Sequence, residues 1–119
     1  MKDRRHVWVI GPLLGVGLLL AGCASEAPVE PVATSAVDLP ASYRFEPEAI
    51  TVLDGTTVTW TNHDNFTHSV QLLDGGEVQM MKPGESVARS FTGPGLFQYV
   101  CSLHPNDMQG SVLVEAASE

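Results

Sequence analysis

The stretch Tyr99-Val-Cys-Ser-Leu-His-Pro-Asn-Asp-Met108 holds a cysteine, a histidine and a methionine within eight residues. A second histidine, His68, lies upstream in Phe66-Thr-His-Ser-Val70. Cys101, His104, His68 and Met108 together offer a thiolate, two imidazoles and a thioether. The two sulfur donors are soft and favour Cu(I), while imidazole serves both oxidation states, so the set suits copper that cycles between Cu(II) and Cu(I). Two imidazoles and one thiolate in a trigonal array, with a long axial thioether, form the electron-transfer copper geometry. Taken singly, each residue has a plainer role. Cys101 could be a buried hydrophobe, His104 could cap a turn before Pro105, Met108 could fill a core gap, and His68 could be a loop histidine. Their conjunction favours a metal.

These donors need a frame that holds His68 on one strand and the other three on a short loop. The texture from about Thr34 is β. Val58 and Trp60 alternate with threonines in Thr56-Thr-Val-Thr-Trp-Thr61, a half-buried strand pattern. Further strands are expected at Ile50–Leu53, Ser69–Leu72, Val78–Met80, Ser86–Phe91, Leu96–Val100 and Ser111–Val114. Asp54-Gly55, Asp74-Gly-Gly76, Pro83-Gly84 and Gly93-Pro-Gly95 separate them as turns. No stretch of ten residues carries a helical period. Seven to eight short strands imply an all-β sandwich or barrel, with Trp60, Phe91, Phe97 and Tyr99 as much of its core.

The 119 residues allow one domain. Lys2, Arg4 and Arg5 precede an apolar run from Val7 to Leu20, and Leu20-Ala-Gly-Cys23 follows. This is an export signal, too short to be read as a lasting span. It resembles the lipobox of bacterial lipoproteins, which implies lipidation at Cys23; an ordinary signal peptide with a chance cysteine is the alternative. The pair Arg4-Arg5 also hints weakly at twin-arginine export. The expected organisation is a signal peptide over 1–22, a lipidated Cys23 with an extended Pro-containing tether over 23–33, and a copper domain over 34–119. The chain would then be exported and anchored to the cell membrane or outer membrane, facing the periplasm or the exterior.

Without the leader, three of six basic residues remain (Arg44, Lys82 and Arg89) and 13 of 14 acids, a net charge of −10. Nucleic acid is excluded as a partner, since phosphate binding needs a basic footprint. Direct docking on anionic lipid is disfavoured too. A basic redox protein fits the charge, as does a simple role in solubility. Cys101 would be a lone thiol outside the cell, exposed to oxidation unless a metal holds it.

Beyond this reading, the chain resembles the cupredoxin family, in particular plastocyanin-like and amicyanin-like proteins, over roughly residues 43–115. The resemblance runs through Phe45-Glu-Pro47, Ile50-Thr-Val52, Gly55-Thr-Thr-Val-Thr-Trp60 and Asn62-His-Asp64. Its most specific part is Tyr99-Val-Cys-Ser-Leu-His-Pro with Met108 and Gly110. It implies a Greek-key β-sandwich and a one-electron shuttle. By the family motif His68, Cys101 and His104 are equatorial ligands of a mononuclear type 1 copper and Met108 is axial. Two features depart from the common pattern. Pro105, Asn106 and Asp107 set the His-to-Met gap, and Ser69 stands where many members carry Asn. The Ser69 hydroxyl is expected to bond near Ser102 in its place, as outer bonds of this kind tune a metal.

The remaining candidates have ordinary readings. His63 and the pair Met80-Met81 are potential second-metal residues, but a surface histidine and packed methionines suffice. Asp64 and Asp107 read by default as solvated loop acids, the alternative being that they flank the copper face and influence docking. Asn65-Phe-Thr67 matches a glycosylation sequon, accidental in a bacterial-looking lipoprotein. The expected function is single-electron transfer between redox proteins, with no small-molecule substrate and no enzymatic activity, because nothing supplies an open coordination position. One alternative is copper binding or delivery with the same ligands. Another is a thiol enzyme using Cys101 and His104 as nucleophile and base.

Overall fold

A computed structural model describes residue 15 and residues 29–117, and the described residues form nine strands. Cys23, the start of the tether and the expected leader apart from Gly15 lie outside the described residues. Among those described, no helix is long and apolar enough to cross a membrane.

The strands are β1 (Val32–Ala33), β2 (Ala36–Leu39), β3 (Ala49–Leu53), β4 (Thr57–Asn62), β5 (His68–Leu72), β6 (Gln79–Met81), β7 (Ser86–Ser90), β8 (Gly95–Val100) and β9 (Gln109–Glu115). One sheet has the order β1-β3-β9-β8-β5-β6 and the other β2-β4-β7. They face each other as the expected all-β sandwich. Seven of the nine match strands legible in the sequence. The other two are β1 and β2. Val32 and Ala33, assigned on sequence to the tether, pair in parallel with Ile50 and Thr51, so the sheet begins ahead of residue 34. β2 runs parallel to β4, with Val37 opposite Trp60.

Alternation decides which face each strand buries. In β4, Val58, Trp60 and Asn62 point inward while the threonines face out. The outward hydroxyls bond across to β7: Thr57 to Ser90 at 2.8 Å and Thr61 to Ser86 at 2.8 Å. Such cross-strand pairs add a few tenths to about 1 kcal/mol each. Inside, Trp60 meets Tyr99 edge to face with ring centres 5.3 Å apart, and Tyr99 meets Phe45 at 4.8 Å. Phe91 is buried as expected, whereas Phe97 is half-buried and packs on Phe91 at 5.3 Å.

Two details of this core set the floor of the loop that follows β8. Tyr99 pairs with Gly110 across β8 and β9, and a Cβ at Gly110 would overlap the Tyr99 ring. Only glycine leaves room for that ring. The Tyr99 hydroxyl and the neighbouring Trp60 Nε1 are both buried without a well-formed hydrogen bond. Burial pushes the Tyr99 phenol up to about 12; the nearby indole N–H offsets this in part, and the Glu48 charge adds to it.

Candidate metal centre

Cys101 is the residue after β8, and its side chain is fully buried. Its backbone N–H donates to the Met108 carbonyl at 3.0 Å, which extends the β8–β9 ladder by one rung beyond Val100 and Gln109. The loop from 101 to 108 then closes on itself. The His104 N–H donates to the Cys101 carbonyl at 3.0 Å, and the Met108 N–H to the His104 carbonyl at 3.0 Å. Gln109 Nε2 also donates to the Pro105 carbonyl at 3.1 Å. Three donor residues are thus carried on two consecutive turns, with Cys101 and Met108 buried at the base and His104 half-buried near the tip.

His68 opens β5, with its ring fully buried. Its Nδ1 lies 3.9 Å from Cys101 Sγ. Ligand bonds of roughly 2.0 Å to imidazole nitrogen and 2.3 Å to thiolate sulfur would hold those two atoms about 3.6–3.8 Å apart on one metal. The spacing and the donor types therefore fit a metal between them. The His104 ring centre is 5.8 Å from that of His68. Among the described residues, no three His, Cys, Asp or Glu side chains already converge on a single point. The structure thus brings His68 and Cys101 to ligand spacing, sets His104 beside them, and places Met108 under the loop.

Outer contacts hold this arrangement. The Ser69 N–H donates to Cys101 Sγ at 3.4 Å, and the Ser69 hydroxyl lies 3.8 Å from the same sulfur. The hydroxyl also accepts from the Ser102 N–H at 2.7 Å and bonds the Ser102 hydroxyl at 2.7 Å. One O–H and two lone pairs accommodate all three contacts when Ser102 donates and Ser69 points its proton at sulfur. The bond expected near Ser102 is present, despite the shorter reach of serine.

Asp64 differs from its sequence reading. It is not a solvated loop acid but is buried, with Oδ2 2.7 Å from His68 Nε2. The His68 hydrogen bond holds its carboxyl below the usual range, against the opposing effect of burial. Burial here has a local cause. The Asn62 side chain accepts from the Asp64 N–H at 2.9 Å and donates to the carbonyls of Phe66 and Met81, winding residues 62–68 inward.

Tyr43 is the other residue that sequence reasoning missed. Its ring sits edge-on to His104 at 4.8 Å and to His68 at 5.7 Å, and it stacks with Phe66 at 5.9 Å. It reaches them from a turn in which its own φ is +53°, a left-handed conformation uncommon for a non-glycine residue. Nothing in the sequence around Ala41-Ser-Tyr43 signals that turn.

The other candidates match their ordinary readings except Met80, which is exposed and not packed. His63 is exposed, with Nε2 3.2 Å from Asp38 Oδ1. Met80 is exposed, while Met81 is buried opposite His68 in the β5–β6 register. Asp107 remains an exposed loop acid.

The geometry has its counterparts among known proteins. A family model described as a Cupredoxin-like domain matches residues 13–114, starting within the expected leader. Amicyanin-alpha of Methylorubrum extorquens is 32% identical over 102 residues, which covers 81% of this chain and 85% of that one. Among solved structures, a purple cupredoxin from Nitrosopumilus maritimus superposes with a TM-score of 0.62 at 28% identity, covering 69% of this chain and 100% of that one. A variant of amicyanin in its Cu(I) form gives a TM-score of 0.61 at 32% identity, covering 67% and 80% respectively. Because the match runs through both sheets and the Cys101–Met108 loop that joins β8 to β9, the chain belongs to the cupredoxin family.

Proposed function

We propose that this chain is an exported, membrane-tethered electron carrier with one mononuclear type 1 copper held by His68, Cys101, His104 and Met108. The observation that carries the reading is the 3.9 Å approach of His68 Nδ1 to Cys101 Sγ, made between the buried first residue of β5 and the buried residue that follows β8. Copper bound there supplies one-electron exchange between Cu(II) and Cu(I). The chain supplies the rest. Cys101 and His68 fix two donors from the sheet, and the amicyanin in its Cu(I) form offers a like fold for such a site.

Electrons enter through the His104 side. His68 is enclosed, whereas His104 is half-buried and meets the exposed Tyr43 ring, which stacks on exposed Phe66; Leu103, its neighbour in the chain, is exposed too. Pro105 is exposed on the same loop. A small apolar contact suits brief encounters between redox proteins, which bury less than about 1,200 Å². The acidic chain steers a basic partner at longer range. The chain performs no bond chemistry on a substrate.

The test is a visible spectrum after Cu(II) is added to the soluble domain. A thiolate–Cu(II) bond gives an intense band, and Cys101→Ser abolishes it while the β fold persists. A coloured Cys101→Ser protein would remove the central claim. Reversible reduction without loss of metal to a chelator separates a carrier from a delivery protein. The tether has its own test: Cys23→Ser releases a soluble domain that still binds copper, and a variant that stays on the membrane after leader cleavage places the anchor elsewhere.

A further inference from the structure

We propose that Asp64 is a positioning residue for the copper site, fixing His68 as the tautomer with Nδ1 free toward Cys101 and placing a negative charge behind that ligand. The proposal rests on the copper reading above and goes one layer beyond it.

Three observations carry it. The first is the contact itself, 2.7 Å between Asp64 Oδ2 and His68 Nε2, with both side chains buried. An ionised carboxylate only accepts, so the imidazole must donate from Nε2. Its one remaining lone pair is then at Nδ1, the atom that lies 3.9 Å from Cys101 Sγ.

The second is that the carboxylate has no freedom to turn away. Its other oxygen, Oδ1, accepts from the Asn65 N–H at 2.7 Å. Its backbone N–H is bound to the Asn62 side chain, which is itself fully buried and tied to two carbonyls. Both oxygens and the backbone are committed before any metal arrives.

The third is that, among the described residues, a carboxylate meets only one of the two proposed ligand imidazoles. His104, on the loop, meets the Tyr43 ring edge-on, and its backbone is engaged within the loop. The negative charge therefore acts through the enclosed ligand. A carboxylate behind a ligand histidine orients the ring and raises its basicity. Greater basicity and a nearby negative charge both favour Cu(II) over Cu(I), which holds the potential down.

The experiment uses the full chain and two variants, Asp64→Asn and Asp64→Leu. Asn is nearly isosteric and keeps an acceptor, but carries no charge. Leu removes acceptor and charge together. Nitrogen-15 NMR of the metal-free protein at pH 8 reads the His68 tautomer without copper. The wild type and Asp64→Asn should show the proton on Nε2; Asp64→Leu should lose that preference. In the copper-loaded protein, Asp64→Asn should weaken Cu(II) relative to Cu(I) about tenfold, the lower end of outer-contact effects on affinity, read as a rise of about 59 mV in potential.

A wild-type His68 protonated on Nδ1 would overturn the positioning claim. An Asp64→Asn potential equal to that of the wild type would overturn the charge claim. If Asp64→Leu does not fold, the wild-type tautomer and the Asp64→Asn potential still decide. A wild-type protein that stays colourless with Cu(II) would instead sink the copper reading, a result distinct from either.

Discussion

The two halves of the centre are built by different means. On the strand side, His68 and Cys101 are fully buried, and their polar atoms are engaged by Asp64 and Ser69. On the loop side, His104 and Met108 are placed mainly by backbone hydrogen bonds among residues 101, 104 and 108. The His104 ring touches Tyr43, itself an exposed residue in a left-handed turn. A buried polar group with every partner assigned is costly to disturb, whereas a ring at the surface can be exchanged for solvent. The strand side is thus the more firmly held half of the proposed centre, and the loop side meets the outside.

The comparison breaks most readily at the two histidines. His104→Gly should bleach the copper colour, and millimolar imidazole should restore it by filling a hole that opens to solvent. His68→Gly should bleach it without rescue. It should also destabilise the metal-free protein, because the Asp64 carboxylate loses the imidazole N–H that it accepts from. Titration of both variants with imidazole, followed in the visible, checks this. Equal rescue at both positions would erase the distinction between the halves.

A smaller effect is expected where the halves are stitched together. Ser69→Ala removes the acceptor for the Ser102 N–H and the hydroxyl beside Cys101 Sγ. Leaving those groups unsatisfied should cost about 1–3 kcal/mol in denaturant unfolding of the metal-free protein. The colour should persist, since the Ser69 backbone N–H still meets the sulfur. No loss of stability would mean that the two halves stand independently.

The smallest structural change should be at Met108. Met108→Gln offers an oxygen donor, which favours Cu(II) and lowers the potential by about 59 mV for each tenfold change in the Cu(II)-to-Cu(I) affinity ratio. The colour stays. Voltammetry reads the shift, and an unchanged potential would take Met108 out of the axial role.

How much of this was legible depended on whether the cause was local. Cys101, His104 and Met108 stand within one loop, and their spacing alone was informative. The strands from Ile50 onward announced themselves through alternation and through turns such as Pro83-Gly84. β2 did not. Ala36-Val-Asp-Leu39 follows a proline-containing stretch, and its strand character comes from parallel pairing with β4, a partner more than twenty residues away. Val37 and Leu39 are nevertheless fully buried. Asp64 was seen but misplaced. An acid in Asn62-His-Asp-Asn65 reads as solvated loop, and only the hydrogen bonds of Asn62 turn it inward. Tyr43 was invisible because its position depends on a backbone conformation that its own residue type disfavours.

The paired bases of the 101–108 loop carry a consequence for how such a chain can diversify. Its ends are clamped by the Cys101–Met108 backbone bond, by the Val100–Gln109 pair, and by the Tyr99 ring that admits only glycine at 110. The six residues between Cys101 and Met108 bear little of the sandwich's packing. Inheritance can therefore rewrite Leu103 and the stretch Pro105 to Asp107, in length as well as in sequence, around a retained Ser102 and His104, while the scaffold beneath stays as it is. The loop behaves as an interchangeable part, and partner preference can drift on a timescale decoupled from that of the fold.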